Sequence, residues 1–264
     1  MTDTSESVPQ PQPPVSSSNN KLSSGHDQAV AMDNMYRFTR HIYDLTRHYY
    51  LLGRDQLLEE LVTGPDTATL EVGCGTARNL IKLGKRTSTG ALYGLDASHE
   101  MLETASKSIS SAGLPHGNNP PIMLRQGLAE ELDGVKMFGR DEPFDTIFFS
   151  YCLSMVPTWP GALEAAFANL KTGGELLIVD FWDQADLPSF FARGLKKWLA
   201  CFHVHYRPEL HKAISAMSEQ KGCRVTFKSI HRRYAYLASV KKNLNVLSRL
   251  KPWAWERKNK VHTS

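Results

Sequence analysis

Residues 69–98, TLEVGCGTARNLIKLGKRTSTGALYGLDAS, decide the fold of this chain. A short apolar run, Thr69 to Val72, leads into Gly73-Cys74-Gly75 and then into a helical pattern. A second apolar run, Ala91 to Leu95, ends on Asp96, 23 residues after Gly73. Glycines at a strand-to-helix turn let the backbone approach a ligand, and an acid at the next strand end accepts hydrogen bonds from ribose hydroxyls. The stretch therefore predicts the nucleoside-binding half of a Rossmann-like βαβ unit.

Two common phosphate-binding motifs do not occur here. The dinucleotide fingerprint G-x-G-x-x-G would need a glycine at Arg78, and the sequence has no G-x-x-x-x-G-K-[ST]. The acid Glu71, the short G-x-G and the distal Asp96 instead resemble the first two motifs of class I S-adenosylmethionine-dependent methyltransferases. In that family the glycine loop lies against the methionine part of the cofactor. Many members have a third glycine where this chain has Ala77; because alanine adopts positive φ only at a cost, we expect a negative φ there.

The alternation of helices and strands continues beyond Asp96. The pattern predicts helices over 98–110 and 162–170, strands over 122–126, 144–151 and 175–181, and a turn at 171–174. The run PFDTIFFSY has the continuous apolar character of a strand buried on both faces of a parallel sheet. The prediction is an α/β fold with a doubly wound, mostly parallel sheet. The methyltransferase resemblance adds an antiparallel C-terminal strand pair, for which Arg224 to Ile230 and Arg233 to Ala238 are the candidates.

The N-terminal residues differ in composition from the rest of the chain. The first 24 are rich in Pro, Ser, Gln and Asn, and we expect them to be disordered because they cannot bury enough apolar surface. Between Met35 and Leu52, apolar residues repeat at spacings of three and four, which predicts a helix; a second helix is predicted over Asp55 to Val62. The expected organisation is a disordered tail (1–24), a helical arm (25–64), a methyltransferase domain (65–240) and a basic C-terminal tail (241–264).

Composition is typical of a cytoplasmic α/β protein. The 264 residues are 41% hydrophobic and 22% charged, enough for one large core or two modest ones. The four cysteines form no C-x-x-C pair and no His/Cys cluster at zinc spacing, so we expect neither a disulfide framework nor a metal site. The sequence shows no signal peptide and no run of about 18 apolar residues, so we expect no membrane-spanning segment.

Charge is divided unequally along the chain. Residues 193–264 contain 17 Lys+Arg and 3 Asp+Glu, a net of +14, whereas residues 1–192 carry −10, which together give the formal +4. This asymmetry indicates a polyanionic partner for the C-terminal part. Apolar residues at helical spacing beside basic ones favour a helix in a membrane interface; a core-packed helix whose lysines face water is the alternative. The residues are Leu187, Phe191, Leu195, Trp198 and Phe202, with Arg193, Lys196 and Lys197.

The resemblance can be extended to a narrower family. The runs MYRFTRHIYDLTRHYYLLGRDQLL, LEVGCGTARNL, LYGLDAS-x-x-ML, FFSYCLSMVPTW, IVDFWDQADLP and FFARGLKKWLACFHV are similar to those of diacylglyceryl-homoserine N-methyltransferases of betaine-lipid synthesis. Those enzymes methylate the homoserine amine of a diacylglycerol ether lipid three times. The likeness covers about residues 33–236. It implies an S-adenosylmethionine-dependent enzyme that is cytoplasmic and peripherally membrane-associated, with a lipid substrate, an anionic membrane surface and an aminocarboxypropyl transferase as expected partners.

The methyltransferase resemblance also implies the residues of the cofactor site. They are Glu71, Gly73, Gly75, Asp96, Ala97, Met101, Gly127, Leu128 and Ser150. A branched side chain at Gly73 is expected to occupy space that the cofactor needs. Many class I enzymes have an acid at the position of Leu128, which accepts the adenine amino group. Here either Glu130 takes that role, or backbone and apolar packing alone hold the adenine, and both stay open.

Methyl transfer to an amine needs orientation and a route for a proton rather than a covalent nucleophile. Well-oriented reactants gain on the order of 7–11 kcal/mol, and the amine must lose its proton before it attacks. Tyr43, His48 and Tyr151 are the catalytic candidates, and aromatic faces suit a substrate that gains positive charge. The alternative is that the two tyrosines belong to the core and that His48 is a solvent-exposed residue on the polar face of the arm.

Two further functions stay open. One is a soluble small-molecule or nucleic-acid methyltransferase, since a basic tail beside such a core fits RNA. We do not expect a nucleic acid, because Ser150-Tyr151-Cys152-Leu153 stands where many base-amine methyltransferases have N/D-P-P-[YF]. The other is a catalytically silent membrane adaptor that binds the cofactor.

Overall fold

The computed structural model describes residues 51–86, 90–114, 122–200 and 206–243. The predicted N-terminal tail, most of the helical arm and most of the basic C-terminal tail therefore lie outside the described residues. The helices are α1 (Arg54–Glu60), α2 (Arg78–Gly84), α3 (His99–Ser111), α4 (Gly134–Phe138), α5 (Trp159–Ala168), α6 (Ser189–Ala200) and α7 (Pro208–Gln220). The strands are β1 (Ala68–Val72), β2 (Ala91–Asp96), β3 (Ile122–Gln126), β4 (Phe144–Ser150), β5 (Leu170–Phe181), β6 (Arg224–Ile230) and β7 (Ala235–Lys241).

The described strands form one seven-stranded sheet in the order β3-β2-β1-β4-β5-β7-β6. β1 to β5 pair in parallel, and β7 runs antiparallel to both β5 and β6. The predicted fold, including its antiparallel C-terminal strand pair, is confirmed. Strand order reverses between β1 and β4, and ligands of open α/β sheets bind at such a point, outside the carboxyl ends of the strands. We call this side, where β1 to β6 end, the carboxyl edge.

Apolar layers cover both faces of the sheet. The first layer contains residues of α5 and α7, and the second contains residues of α1, α2 and α3. Within β4, Ile147 belongs to the first layer and Phe148 to the second, and both are fully buried. Burial of a side chain of this size stabilises the fold by about 1.5–3 kcal/mol. The continuous apolar run of β4 therefore reflects a strand covered on both sides, as predicted.

Three local features differ from the sequence prediction. Residues 171–174 belong to β5 rather than to a turn, because Gly173 and Gly174 hydrogen-bond with Lys242 beyond β7. Helix α5 begins at Trp159 rather than at residue 162. Pro160 fits the first helical turn, because N–H groups there have no intrahelical acceptor and the missing N–H of proline costs nothing. Helices α4 and α7 were not predicted, although the buried Leu210, Ile214 and Met217 of α7 follow helical spacing.

Helix α6 lies where a helix was predicted, but it exposes different residues from those expected. Leu187, just before the helix, and Leu195 pack against the second layer, so the prediction that these two face a membrane is wrong. Phe190, Arg193 and Lys197 lie on the exposed side, with Phe190 74% exposed. The side chains of Phe191, Lys196, Trp198 and Phe202 lie outside what the structure describes. None of the helices in the described ranges is long and apolar enough to cross a membrane.

Candidate cofactor and substrate site

The glycine turn after β1 is fixed by backbone hydrogen bonds to β2. The N–H groups of Gly73 and Cys74 both donate to the carbonyl oxygen of Leu95, at 2.8 and 3.1 Å. Gly73 and Gly75 have φ values of +74° and +52°, which glycine adopts without steric cost. The turn therefore lies tightly against the carboxyl end of β2, where the acid of the motif is located.

Ala77 has a φ of +61°, so the prediction of a negative φ at this position is wrong. Its N–H donates to the carbonyl oxygen of Cys74 at 3.0 Å, which closes the turn before α2. Its methyl group is fully buried in the second layer. This bond and this burial offset the roughly 1–2 kcal/mol that a left-handed conformation costs an L-residue. The turn thus has the left-handed conformation that a third glycine would adopt, although the residue is alanine.

Gly73 packs against the loop after β4. A Cβ atom at Gly73 would lie 2.4 Å from Cys152 Sγ and 2.9 Å from Cys152 Cβ. The first obstacle to a side chain here is therefore Cys152, not the cofactor as expected from the sequence. The loops that follow β1 and β4, the two strands at the reversal point, are in direct contact.

We expect Gly73→Ala to lower the free energy of unfolding by about 2–5 kcal/mol, because it adds backbone strain to overpacking. Cys152→Ala removes the sulfur that lies nearest and should restore part of this loss in the double variant. Chemical denaturation of the parent, both single variants and the double variant measures the coupling. Strictly additive losses would contradict the contact.

Asp96 joins three segments at the end of β2. One carboxylate oxygen accepts from the N–H of Gly75 at 2.7 Å, and the other accepts from the N–H of Ser98 at 3.0 Å. Ser98 Oγ in turn accepts from the N–H of Met101 at 3.3 Å and caps α3. The carboxylate predicted to bind ribose therefore also positions the glycine turn and the start of α3.

The loop after β3 lies beside Asp96. The N–H of Gly127 donates to the Asp96 carbonyl oxygen at 3.0 Å, and the Gln126 side chain donates to the Ala97 carbonyl oxygen, also at 3.0 Å. Leu128 follows in an extended conformation and leads into a short 3-10 turn, Ala129–Glu131. The structure thus brings the predicted cofactor residues of β2 and β3 together. The parts that Leu128 and Glu130 play toward adenine stay predictions.

Glu71 lies buried beneath the glycine turn. It is 2% exposed, and its Oε1 accepts from Asn79 Nδ2 at 2.6 Å. A hydrogen bond to a charged group is stronger than a neutral one, so this pair ties β1 firmly to the first turn of α2. Asn79 was not predicted as a site residue; a polar residue inside the apolar run of α2 was the available signal. Contact between Glu71 and the cofactor stays a prediction.

The thiol of Cys74 is held in its neutral form. Burial raises its pKa well above the usual range, and the charges of Asp96 and Glu71 add to this effect. Because the thiolate is the reactive species, Cys74 is a poor nucleophile, in agreement with a reaction that needs none. Among the described residues, no group of three or more His, Cys, Asp or Glu side chains could hold a metal ion.

Tyr151 directly follows β4 with a φ of +55°, and its N–H donates to the Val179 carbonyl oxygen at 2.8 Å. Its ring meets Phe181 edge-on at 4.6 Å, and its hydroxyl donates to the carbonyl oxygen of Leu52. Burial raises the pKa of this phenol well above its usual range, and a neutral phenol is a poor base near pH 7. These contacts fix the Tyr151 side chain between Phe181 and the Leu52 backbone. Proton acceptance by Tyr151 stays a prediction that its surroundings do not support.

The last residues of the predicted arm reach the carboxyl edge. Leu51 and Leu52 pack against the second layer, and a Cβ at Gly53 would touch Ile230 and Val179. Tyr43 and His48, the other two catalytic candidates, lie outside the described residues, so their roles stay predictions.

Ser150 is the last residue of β4, the strand that pairs with β1. Its hydroxyl oxygen is buried, and the described residues offer it no hydrogen-bond partner. Buried polar atoms in folded proteins almost always have a partner, so a bound molecule at this edge would satisfy it. Ser150 thereby fits its predicted place in the cofactor site.

Asp180, near the end of β5, is a third buried acid at this edge, after Glu71 and Asp96. It is 1% exposed and accepts from the N–H groups of Ser154 and Phe181 at 2.9 and 2.8 Å. Arg207 Nε donates to the carbonyl oxygen of Ser154 at 3.0 Å. Burial raises the pKa of Asp180 to about 6. Asp180 and Arg207, neither of them predicted from the sequence, hold the loop after β4 from two sides.

We expect this carboxyl to make the fold less stable as the pH rises through about 6. Its folded-state pKa lies above the ordinary 3.8, so folding favours the protonated form, and the ionised form destabilises the fold by up to about 3 kcal/mol at higher pH. Asp180→Asn should remove this part of the pH dependence. Chemical denaturation between about pH 4 and 7 measures it; an identical slope in parent and variant would contradict the raised pKa.

Backbone strain is concentrated at the carboxyl edge. Among the described residues, the non-glycine positions with positive φ all follow β1, β4, β5 or β6 at this edge. Such conformations cost of order 1–3 kcal/mol each and cluster at ligand sites. The residues are Ala77, Tyr151, Gln184, His231, Arg232 and Arg233.

A cavity of about 420 Å³ lies at the opposite edge of the sheet, near the starts of β2 and β4. Arg140, in its wall, donates to the Tyr93 hydroxyl at 2.9 Å and lies over the rings of Tyr93 and Phe144 at 5.0 and 4.8 Å. The guanidinium is therefore already paired within the protein. None of the predicted cofactor residues lines this cavity.

The sheet order, the glycine turn and the acid ending β2 define an α/β domain that binds a nucleoside cofactor. The chain belongs to the methyltransferase-domain family, whose family model matches residues 64–238. It is 36% identical over 111 residues to a phosphatidylethanolamine N-methyltransferase of Cereibacter sphaeroides, covering 42% of this chain and 49% of that protein. It is 33% identical over 124 residues to a demethylmenaquinone methyltransferase of Halalkalibacterium halodurans, covering 47% and 46%. The chain thus spans about half the length of the curated relatives it matches.

A solved structure of an S-adenosylmethionine-dependent methyltransferase from Aquifex aeolicus has the same fold. The TM-score is 0.53 at 17% identity, covering 82% of this chain and 97% of that one; at this identity the likeness concerns the fold alone. Family and fold together indicate S-adenosylmethionine as the cofactor. The residues fit it, because three features lie at one edge: the glycine turn, the Asp96 carboxylate, and the Ser150 hydroxyl, for which the described residues offer no partner.

We expect Asp96→Ala to weaken S-adenosylmethionine binding by about 1.5–3 kcal/mol, the range for hydrogen bonds to a charged group. It should also lower stability, since Gly75 and Ser98 lose their acceptor. Calorimetry measures the affinity, and Asp141→Ala, an exposed acid at the opposite edge, is the matched control. Unchanged affinity in Asp96→Ala would remove this residue from the site.

Proposed function

We propose that the protein transfers methyl groups from S-adenosylmethionine to the amine of a membrane-lipid headgroup, converting diacylglyceryl-homoserine to the trimethylated betaine lipid. The observation that carries this proposal is the makeup of the carboxyl edge. There the predicted cofactor residues of a methyltransferase domain lie on the same side of the sheet as exposed basic side chains and the exposed ring of Phe190. The similarity to a phosphatidylethanolamine N-methyltransferase supports an amine on a lipid as the acceptor.

The protein contributes position rather than covalent chemistry. When bound, S-adenosylmethionine supplies an electrophilic methyl group on a sulfonium. Asp96 and the Glu71–Asn79 pair hold the glycine turn on the cofactor side, and Asp180 with Tyr151 holds the loop after β4 on the acceptor side. Orientation of this kind contributes on the order of 7–11 kcal/mol. Tyr43 and His48 remain the proposed proton acceptors.

Helix α6 and the β6–β7 turn supply a surface for the lipid. Phe190, Arg193 and Lys197 share one exposed face of α6, which follows β5 at the carboxyl edge. His231 and Arg232, also exposed, follow β6 at this same edge. An apolar ring with a basic rim is typical of an element that lies in a membrane interface. We propose that this surface contacts an anionic membrane and holds the protein peripherally.

We expect replacement of Arg193 and Lys197 by glutamine to weaken binding to anionic vesicles by about 1 kcal/mol per residue. Phe190→Ala should weaken binding at every salt concentration, because apolar contact is not screened. Co-sedimentation with phosphatidylglycerol vesicles over a salt series measures both, and Lys107→Gln, an exposed lysine on α3, is the control. If both variants bind like the parent at low salt, this surface is not the contact, and RNA becomes the next partner to test for the +14 segment.

The proposed activity is tested by supplying labelled S-adenosylmethionine with one acceptor at a time. We expect diacylglyceryl-homoserine to gain three methyl groups. Demethylmenaquinone is the second candidate acceptor, favoured by the similarity to enzymes that methylate it, and label there would contradict amine transfer. Label on phosphatidylethanolamine alone would support methylation of a lipid amine but contradict diacylglyceryl-homoserine as the substrate. Cofactor binding without any transfer would leave the silent adaptor.

A further inference from the structure

Gln184, in the loop after β5, combines two unfavourable features in one residue. Its φ is +61°, and its side chain is 3% exposed, with an Oε1 atom for which the described residues offer no hydrogen-bond partner. A left-handed backbone and an unpaired buried oxygen each disfavour the folded state. Strain and unmet hydrogen bonding kept at one position point to a task for that residue.

The backbone of Gln184 is fixed on both sides. Its N–H donates to the carbonyl oxygen of Arg233 at 2.9 Å, and its own carbonyl oxygen accepts from the N–H of Leu187 at 3.1 Å. The Arg233 guanidinium is itself held, because it pairs with Asp183 and lies 4.7 Å from the centre of the Trp182 ring. Hydrogen bonds within the loop after β5 and to the β6–β7 turn therefore fix the positive φ of Gln184. They also fix the position of its Cα atom, from which the side chain extends.

Gln184 lies at the carboxyl edge, in the loop that follows β5. The predicted cofactor residues lie in or after β1, β2 and β3, with Ser150 at the end of β4, and none lies in or after β5. We therefore expect the methyl acceptor to approach over the end of β5, next to the predicted cofactor site. Tyr151 and Gln184, which follow β4 and β5, both have positive φ. Gln184 thus lies on the expected acceptor side of the site.

We propose that Gln184 Oε1 accepts a hydrogen bond from the N–H of the substrate amine and so aims the nitrogen lone pair at the methyl group. The inference rests on the proposed function. In the reaction the lone pair forms the N–C bond, the S–C bond breaks with its electrons left on sulfur, and the new ammonium releases a proton to solvent if it carries one. An amide oxygen suits this task because it is uncharged; a carboxylate would raise the pKa of the amine and keep it protonated.

Burial of the oxygen has a consequence for access. Oε1 is closed to solvent in this structure. An amine therefore reaches it only when the carboxyl edge opens, and the amine loses its contact with water on binding. The hydrogen bond then replaces one that the amine made with water.

The number of hydrogens on nitrogen determines which steps Gln184 can assist. A neutral primary amine carries two N–H groups and a secondary amine one, whereas a neutral tertiary amine carries none. Gln184 should therefore accelerate the first and second methylations and leave the third unaffected. A purely structural role would affect all three steps alike.

The test uses the full chain with Gln184→Leu and Gln184→Gly, and short-chain, water-soluble homoserine ethers whose amine is unmethylated, monomethylated or dimethylated. We expect kcat/KM to fall about 5- to 100-fold for the first two substrates, the range for leaving a buried donor unpaired, and less than about twofold for the third. Gln184→Gly relieves the backbone strain, so its midpoint of denaturation should not fall although its activity does. Gln184→Glu should shift the pH–rate profile to higher pH.

Two controls separate the possible outcomes. Calorimetric affinity for S-adenosylmethionine should stay unchanged in every Gln184 variant, and Gln220→Leu, at the exposed end of α7, should leave all three steps unchanged. Equal losses at all three steps, or no loss at any, would overturn the inference while the proposed function stands. A parent protein that methylates none of the three amines would overturn the proposed function itself, before any variant is compared.

Discussion

The carboxylate of Asp96 is the interaction on which the site depends. Its two oxygens accept from the N–H groups of Gly75 and Ser98, so one side chain fixes the glycine turn after β1 and the start of α3. The backbone of the same residue accepts from Gly127, which adds the loop after β3. Three separate loops therefore take their positions from a single residue, and the cofactor side of the carboxyl edge is assembled around it.

The proposed acceptor side differs, because residues at and after the ends of β4 and β5 have locally unfavourable conformations or environments. Tyr151 and Gln184 have positive φ, and Asp180 is a buried carboxyl whose pKa burial raises to about 6. Each is disfavoured locally and is held by a hydrogen bond to a neighbouring segment. Tyr151 is bonded to Val179 of β5, Gln184 to Arg233 of the β6–β7 turn, and Asp180 to Ser154 of the loop after β4. The surrounding structure thus keeps residues of this edge in conformations that they would not adopt by themselves, as expected where a protein positions a ligand.

Much of this could be predicted from the sequence, for physical reasons. Apolar runs of strand length, glycines and acids at strand ends are local features, so the sheet, the glycine turn and Asp96 were predicted from short segments. Ala77 was predicted wrongly because its positive φ depends on a tertiary fit for its methyl group. Asp180 and Gln184 were missed since burial of an isolated polar residue leaves no periodic pattern. The inward packing of Leu195 was ambiguous because core and membrane helices share one spacing.

Hydrogen–deuterium exchange of the full chain with and without S-adenosylhomocysteine, the product that keeps the adenosine and sulfur of the cofactor, tests the central claim most directly. The claim is that the cofactor binds at the carboxyl edge, around Asp96. We predict slower exchange in residues 73–77, 96–101, 127–131 and 150–155 and little change around Tyr93 and Arg140 at the opposite edge. Protection confined to that opposite edge, or no protection under conditions where the compound binds, would contradict the account.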